Sequence, residues 1–148
     1  MTKQETKRDP VILLIEDNPG DVLLIKEALQ EIGSSVSLQS VRDGEAALAF
    51  LQCDEPHGDV PSPTLVLLDL NLPRMNGLEV LRRIRDDKRL HALPVIILTT
   101  SEAPEDVERA YALQANAYIT KPANLDALFH MVETLEDFWF SIARLPAR

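Results

Sequence analysis

Apolar and polar positions alternate in blocks along this chain. Val11-Ile12-Leu13-Leu14-Ile15, Leu65-Val66-Leu67-Leu68 and Val95-Ile96-Ile97-Leu98 are unbroken apolar runs. Runs of this kind fit strands covered on both faces, as in a parallel sheet, although a buried helical segment gives the same run. Pro73 and the Asn76-Gly77 pair after the second run favour a short strand followed by a loop. Val36-Ser37-Leu38-Gln39 alternates instead, which predicts a half-exposed strand at a sheet edge. Tyr118-Ile119 predicts a short last strand.

Between these runs the period changes to that of a helix. Val22, Ile25, Leu29 and Ile32 recur at helical spacing, with Asn18 or Asp21 as N-cap and Gly33 as C-cap. Asp43-Gly44 is a turn before an Ala-rich helix to about Gln52. Leu78, Leu81 and Ile84 share one helix face, and Pro104 suits a first helical position. The last helix is expected from near Asn124 to Ile142, with Leu125, Leu128, Val132, Leu135, Trp139 and Ile142 as one apolar stripe. Strand and helix thus alternate five times, and short connections make each unit a right-handed parallel crossover. The expected fold is α/β: a doubly wound five-stranded parallel sheet with two helices on one face and three on the other.

Bulk properties narrow the function. The 148 residues suit one domain with a single core. A net charge of −9 argues against a nucleic-acid surface, which must neutralise phosphates. The single cysteine, Cys53, excludes an internal disulfide and fits a reducing compartment. No apolar run reaches membrane-span length, and the polar start has no signal core. A cytoplasmic protein is expected, with no membrane and no nucleic-acid partner. Its organisation is read as a frayed segment 1–9, a domain over 10–142 and a tail over 143–148. Cys53 to Pro63, with three prolines and a glycine, makes a long polar loop.

In a parallel sheet all carboxyl ends point the same way, and ligands bind there. That gathers Glu16, Asp17, Asp69, Thr99 and Lys121, each of which follows an apolar run. Taken singly, each has a plain explanation as a cap, a turn residue or a solvated lysine. Carboxylates crowded together either rise in pKa or bind a cation. Oxygen ligands without histidine or thiolate favour Mg2+. A carboxylate beside Mg2+ and a lysine is also a nucleophile able to accept a phosphoryl group.

These residues give the chain its resemblance. From about Pro10 to Trp139 it resembles the receiver domain of response regulators, the CheY-like family of two-component signalling. The resemblance implies the flavodoxin-like strand order 2-1-3-4-5 and Asp69 as phosphoacceptor, within Leu67-Leu68-Asp69-Leu70-Asn71-Leu72-Pro73. It implies Mg2+ held by Glu16, Asp17, Asp69 and the backbone carbonyl of Asn71. It assigns Thr99 as switch hydroxyl, Tyr118 as switch aromatic and Lys121 as partner of the phosphoryl group, and it implies a cis Lys121–Pro122 bond. More finely, the chain is similar to small regulators that act with bacterial phytochrome histidine kinases. That similarity rests on Ile15-Glu16-Asp17-Asn18-Pro19-Gly20-Asp21, the run from Asp69 to Pro73, the Pro-rich loop before it and Phe138-Trp139.

The expected function is therefore a phosphoacceptor, not an enzyme beyond slow loss of its own phosphate. Its expected partners are a sensor histidine kinase and a second copy of itself. With no effector domain foreseen, output would be by protein contact. Phe129, Phe138 and Phe140 lie off the final apolar stripe. With Trp139 they suggest a homodimer through the last helix and its neighbouring strand. His57, His91 and His130 share no motif. Two rivals remain: an aspartate-nucleophile phosphatase, which needs a second acid where Asn71 stands, and an unphosphorylated interaction scaffold.

Overall fold

The structure is a computed structural model and describes residues 9–52 and 62–146. Residues 1–8 of the expected frayed start, most of the Pro-rich loop with Cys53 and His57, and the end of the tail lie outside the described residues. Five parallel strands form one sheet in the order β2-β1-β3-β4-β5. They are β1 (Val11–Ile15), β2 (Ser37–Val41), β3 (Leu65–Leu68), β4 (Val95–Thr99) and β5 (Ala117–Thr120). The three continuous apolar runs are the three central strands, and every residue in them is buried. The alternating segment is the edge strand β2, which begins one residue later than its pattern predicts and runs two further.

The helices are α1 (Pro19–Glu31), α2 (Gly44–Gln52), α3 (Gly77–Asp86), α4 (Pro104–Ala112) and α5 (Leu125–Asp137). Alternate residues of each central strand feed two separate cores, because successive side chains point to opposite faces. Ile12, Leu14, Leu65, Leu67, Ile96 and Leu98 pack with α1 and α5. Leu13, Ile15, Val66, Leu68, Val95 and Ile97 pack with α2, α3 and α4. This is the expected division of two helices against three.

Local chemistry sets the helix ends. Asn18, rather than Asp21, caps α1: its Oδ1 accepts from the amides of Gly20 and Asp21 at 2.9 and 3.2 Å. Gly33 follows the cap residue Ile32 with φ of 68°, the left-handed conformation that favours glycine. Asn76 caps α3 through Leu78 N at 2.7 Å, and Asn124 caps α5 through Ala127 N at 2.8 Å. At the far end of the sheet Arg85 donates to the carbonyls of His91, Leu93 and Gln114 and to Asn116 Oδ1. It ties the end of α3 to two loops without a carboxylate partner among these contacts. On the edge strand β5, the Tyr118 amide donates to the phenol oxygen of Tyr111 on α4 at 3.1 Å.

Two expectations are corrected. The last α-helix stops at Asp137, and Phe138–Ile142 form a π-helical turn closed by Ala143 N to Phe138 O at 2.7 Å. The wider turn breaks the 3-4 spacing, so Ile142 leaves the stripe and is 65% exposed. Phe129, Trp139 and Phe140 instead pack against the α1–α5 core. Phe138 is the exposed ring of the group and meets Trp139 edge-on at 5.3 Å. The second correction is the Lys121–Pro122 bond. It is trans, as is every other peptide bond among the described residues, in line with the ordinary preference of X–Pro bonds.

One close approach fixes the loop that follows β3. A Cβ on Gly77 would lie 2.7 Å from Leu70 Cα and on top of the Asp69 carbonyl oxygen. The Gly77 amide meanwhile donates to Leu70 O at 3.0 Å. Gly77→Ala should therefore lower stability by about 1–3 kcal/mol, the usual cost of overpacking. Urea denaturation measures this; an unchanged midpoint would mean that α3 can back away freely.

Candidate functional site

Backbone pairing continues past the strand ends and carries the polar residues with it. Glu16 N donates to Val41 O at 3.0 Å, Asp69 N to Ile15 O at 3.0 Å and Lys121 N to Thr99 O at 2.7 Å. Residues 16, 69, 99 and 121 are thus held in register at the carboxyl edge. Glu16, Asp69 and Thr99 are buried polar residues in an otherwise apolar interior. Asp17 is exposed at the rim.

One carboxylate oxygen from each of Glu16, Asp17 and Asp69 lies within 4.8 Å of the others. Lys121 reaches into this group. Its Nζ donates to Glu16 Oε1 at 2.6 Å, to Asp21 Oδ2 at 2.8 Å and to Asp69 Oδ2 at 3.4 Å. Asp69 Oδ1 accepts from Asn71 N at 3.1 Å. The Asn71 side-chain amide donates to Thr99 Oγ1 at 3.4 Å, and Ser101 N reaches the same oxygen at 3.4 Å. Tyr118 is half-buried, and its hydroxyl donates to Ser101 O at 2.9 Å. Ser101 Oγ also donates to Asp106 Oδ2 at 2.6 Å. Ser101 therefore joins the loop below Thr99 to the tyrosine on the neighbouring strand.

Burial and the Asp69 charge push the Glu16 carboxyl up to about 7, against the opposing pull of the Lys121 ammonium. Burial pulls Lys121 down, but hydrogen bonds to Asp21 and Glu16 and the charge of Asp69 outweigh it, so its pKa is raised. A site in which burial and a neighbouring acid raise a carboxyl favours added positive charge. The donors are all oxygens, which suits a hard divalent cation such as Mg2+. Glu16, Asp17 and Asp69 are the side chains that would hold it.

Two residues of this site escaped the sequence reading. Asp21 has no site role in the sequence, since an acid in a first turn explains itself as a helix cap; its contact with a residue 100 positions away leaves no local signal. Ser101 lies two residues beyond Thr99, and nothing in its neighbours marks it as a junction. Phe129, Phe138, Trp139 and Phe140, which the sequence suggested for a homodimer, stand apart from this site, on and after α5.

Comparison with known proteins places the chain in a family. The family described as Response regulator receiver domain matches residues 12–133. The response regulator Rcp1 of Synechocystis is 44% identical over 143 residues, 97% of each chain. The phosphorylated cyanobacterial phytochrome response regulator RcpA superposes with a TM-score of 0.88 at 43% identity, over 95% of this chain and all of that one. The Mn2+-bound form of Rcp1 superposes with a TM-score of 0.85 at 45% identity, over 93% of this chain and 99% of that one.

The raised Glu16 carboxyl gives cation binding a sign. Its pKa lies at about 7 when folded, against an ordinary 4.5. The metal-free fold therefore has the full benefit of this proton below about pH 4.5 and loses it as pH rises through about 7. A cation needs the group ionised and must release the proton. Mg2+ affinity should therefore climb by up to about tenfold per pH unit below pH 7 and level off above it. Thermal shift against Mg2+ concentration at several pH values measures this, and a pH-independent affinity would remove Glu16 from the cation site.

Proposed function

This chain belongs to the response regulator receiver family, and from that premise we propose that it is the phosphoacceptor of a two-component phosphorelay. Asp69 takes a phosphoryl group from a sensor histidine kinase, and the protein signals by conformational change and protein contact. The observation that carries this reading is the meeting of Lys121 Nζ with Asp69 Oδ2 beside the carboxylates of Glu16 and Asp17. A nucleophilic carboxylate, an ammonium and an oxygen-only cation site are the parts that phosphoryl transfer needs.

In the transfer, an Asp69 carboxylate oxygen bonds to phosphorus. The bond from phosphorus to the phosphohistidine nitrogen breaks, and that nitrogen keeps the electron pair. The product on this chain is an acyl phosphate. Mg2+ held by Glu16, Asp17, Asp69 and the Asn71 carbonyl would supply positive charge to the phosphoryl oxygens. Lys121 adds its own charge on the other side and neutralises what remains of the acidic crowd. Asn71 N, which donates to Asp69 Oδ1, orients the carboxylate.

The new group brings about −1.5 to −2 units of charge. Thr99 then turns its hydroxyl from Asn71 and Ser101 toward the phosphoryl oxygen, a bond to a charged acceptor that contributes about 1.5–3 kcal/mol. Ser101 moves with Thr99, and through its carbonyl so does Tyr118, which fills the space Thr99 leaves. That energy shifts a two-state equilibrium by about one to two decades.

The likeness to Rcp1 and RcpA favours a phytochrome-type kinase as donor. Output is by contact, with a homodimer through the end of α5 and its neighbour β5. Phe138, 48% exposed, and Ile142 supply apolar surface there.

Asp69→Asn should abolish phosphate incorporation from a kinase or a small acyl phosphate, and Thr99→Ala should incorporate it normally. The Thr99 variant should lose most of the ten- to hundredfold change in partner affinity on adding beryllofluoride. Radiolabel retained in the Asp69 variant would overturn the acceptor assignment. For the dimer, Phe138→Lys with Ile142→Lys leaves the packed Trp139 and Phe140 in place. Light scattering should report a monomer, and a dimer that persists would move the interface elsewhere.

A further inference from the structure

The Lys121 ammonium has three protons to donate and three carboxylates around it, but it does not share them equally. Glu16 at 2.6 Å and Asp21 at 2.8 Å take the short bonds, and Asp69 is left the long one at 3.4 Å. Asp21 is not among the three acids whose oxygens converge as a cation site. It sits on α1, and the side-chain contact that it makes is with Lys121, partly screened from water. We propose that Asp21 is a positioning residue that holds Lys121 off the acceptor carboxylate until a phosphoryl group arrives. The proposal rests on the acceptor role of Asp69.

Asp21 is built to stay where it is. Its backbone amide is bound by the Asn18 cap, whose own amide donates to Glu16 Oε2 at 3.1 Å. Glu16, Asn18 and Asp21 thus form one frame around the ammonium. A carboxylate in a helix's first turn is also favoured by the positive end of the dipole. Ile25, Ala28 and Leu29 anchor α1 in the core, so Asp21 cannot follow the lysine toward β3.

The division of bonds has a chemical purpose. An ammonium fully paired with Asp69 would occupy the oxygen lone pairs that must attack phosphorus. An ammonium parked on Glu16 and Asp21 stays within reach yet leaves Asp69 a nucleophile. Once the phosphoryl group is in place, its near-double charge outbids the single charge of a partly exposed carboxylate, and Lys121 changes partner.

The test is Asp21→Asn, which keeps the shape and removes the competitor. Affinity for beryllofluoride with Mg2+, read by tryptophan fluorescence or calorimetry, should tighten by about two- to fivefold, the range for one partly exposed ion pair. Asp21→Glu should return it toward the starting value. The gain should persist in about 0.5 M salt, where general repulsion of an anion is screened. In the metal-free protein the 15Nζ resonance of Lys121 should shift, and its ammonium protons should exchange faster, in the Asn variant. No tightening, or a gain that vanishes in salt, overturns the proposal, as does an unmoved Lys121 resonance. If Asp21→Asn does not fold, Asp21→Ser takes its place in both measurements. A native protein that binds no beryllofluoride at all would refute the acceptor reading; the Lys121 resonance would still report whether Asp21 holds the lysine.

Discussion

A single ammonium among carboxylates is what the carboxyl edge of this sheet depends on. Glu16 and Asp69 are buried, and two buried acids at this distance repel each other strongly. Lys121 is the internal cation that allows both to sit there in a metal-free protein. Removing one partner of a buried charge pair leaves the other uncompensated, which is more costly than the pair itself is worth. The same acids that strain the fold are the ones that can bind a cation, so Lys121 mediates between stability and function.

The parallel sheet makes that arrangement possible. Glu16, Asp69, Thr99 and Lys121 are spread over more than a hundred positions of sequence, yet Thr99 ends its strand and the other three each follow a strand end by one residue. Hydrogen bonds that continue the ladder fix their heights, and two cores on opposite faces hold the strands still. Below the edge, Thr99, Ser101 and Tyr118 form a short polar line from β4 to β5. It contains one backbone carbonyl and few side chains, so a movement at its first member has few places to dissipate.

Much of this was legible in the sequence because it is local. Continuous runs gave β1, β3 and β4; alternation gave the half-exposed β2; Asn18 was one of two cap candidates, and the last helix was expected from near Asn124. Strand ends then brought the acids, the threonine and the lysine together with no distance known. What escaped is what depends on contacts between distant segments. Asp21 looks like any acid in a first turn until Lys121 is seen beside it. Asn76-Gly77 marks a turn in the sequence, but only packing shows that Gly77 leaves no room for a side chain against Asp69. The π-helical turn after Asp137 was hidden for a different reason: the apolar spacing runs on to Ile142 although the backbone widens. The trans bond before Pro122 runs against an expectation taken from resemblance alone.

The phenol of Tyr111, bound to the Tyr118 amide, has a consequence for how the molecule meets others. A bare amide on an outer strand is a template on which a foreign strand can add. Here one such amide is occupied by a ring from the adjoining helix. Lengthening the sheet across this border would first require dislodging that ring. Encounters along β5 are thereby steered toward side-chain recognition and away from backbone zippering, which guards against indiscriminate self-association.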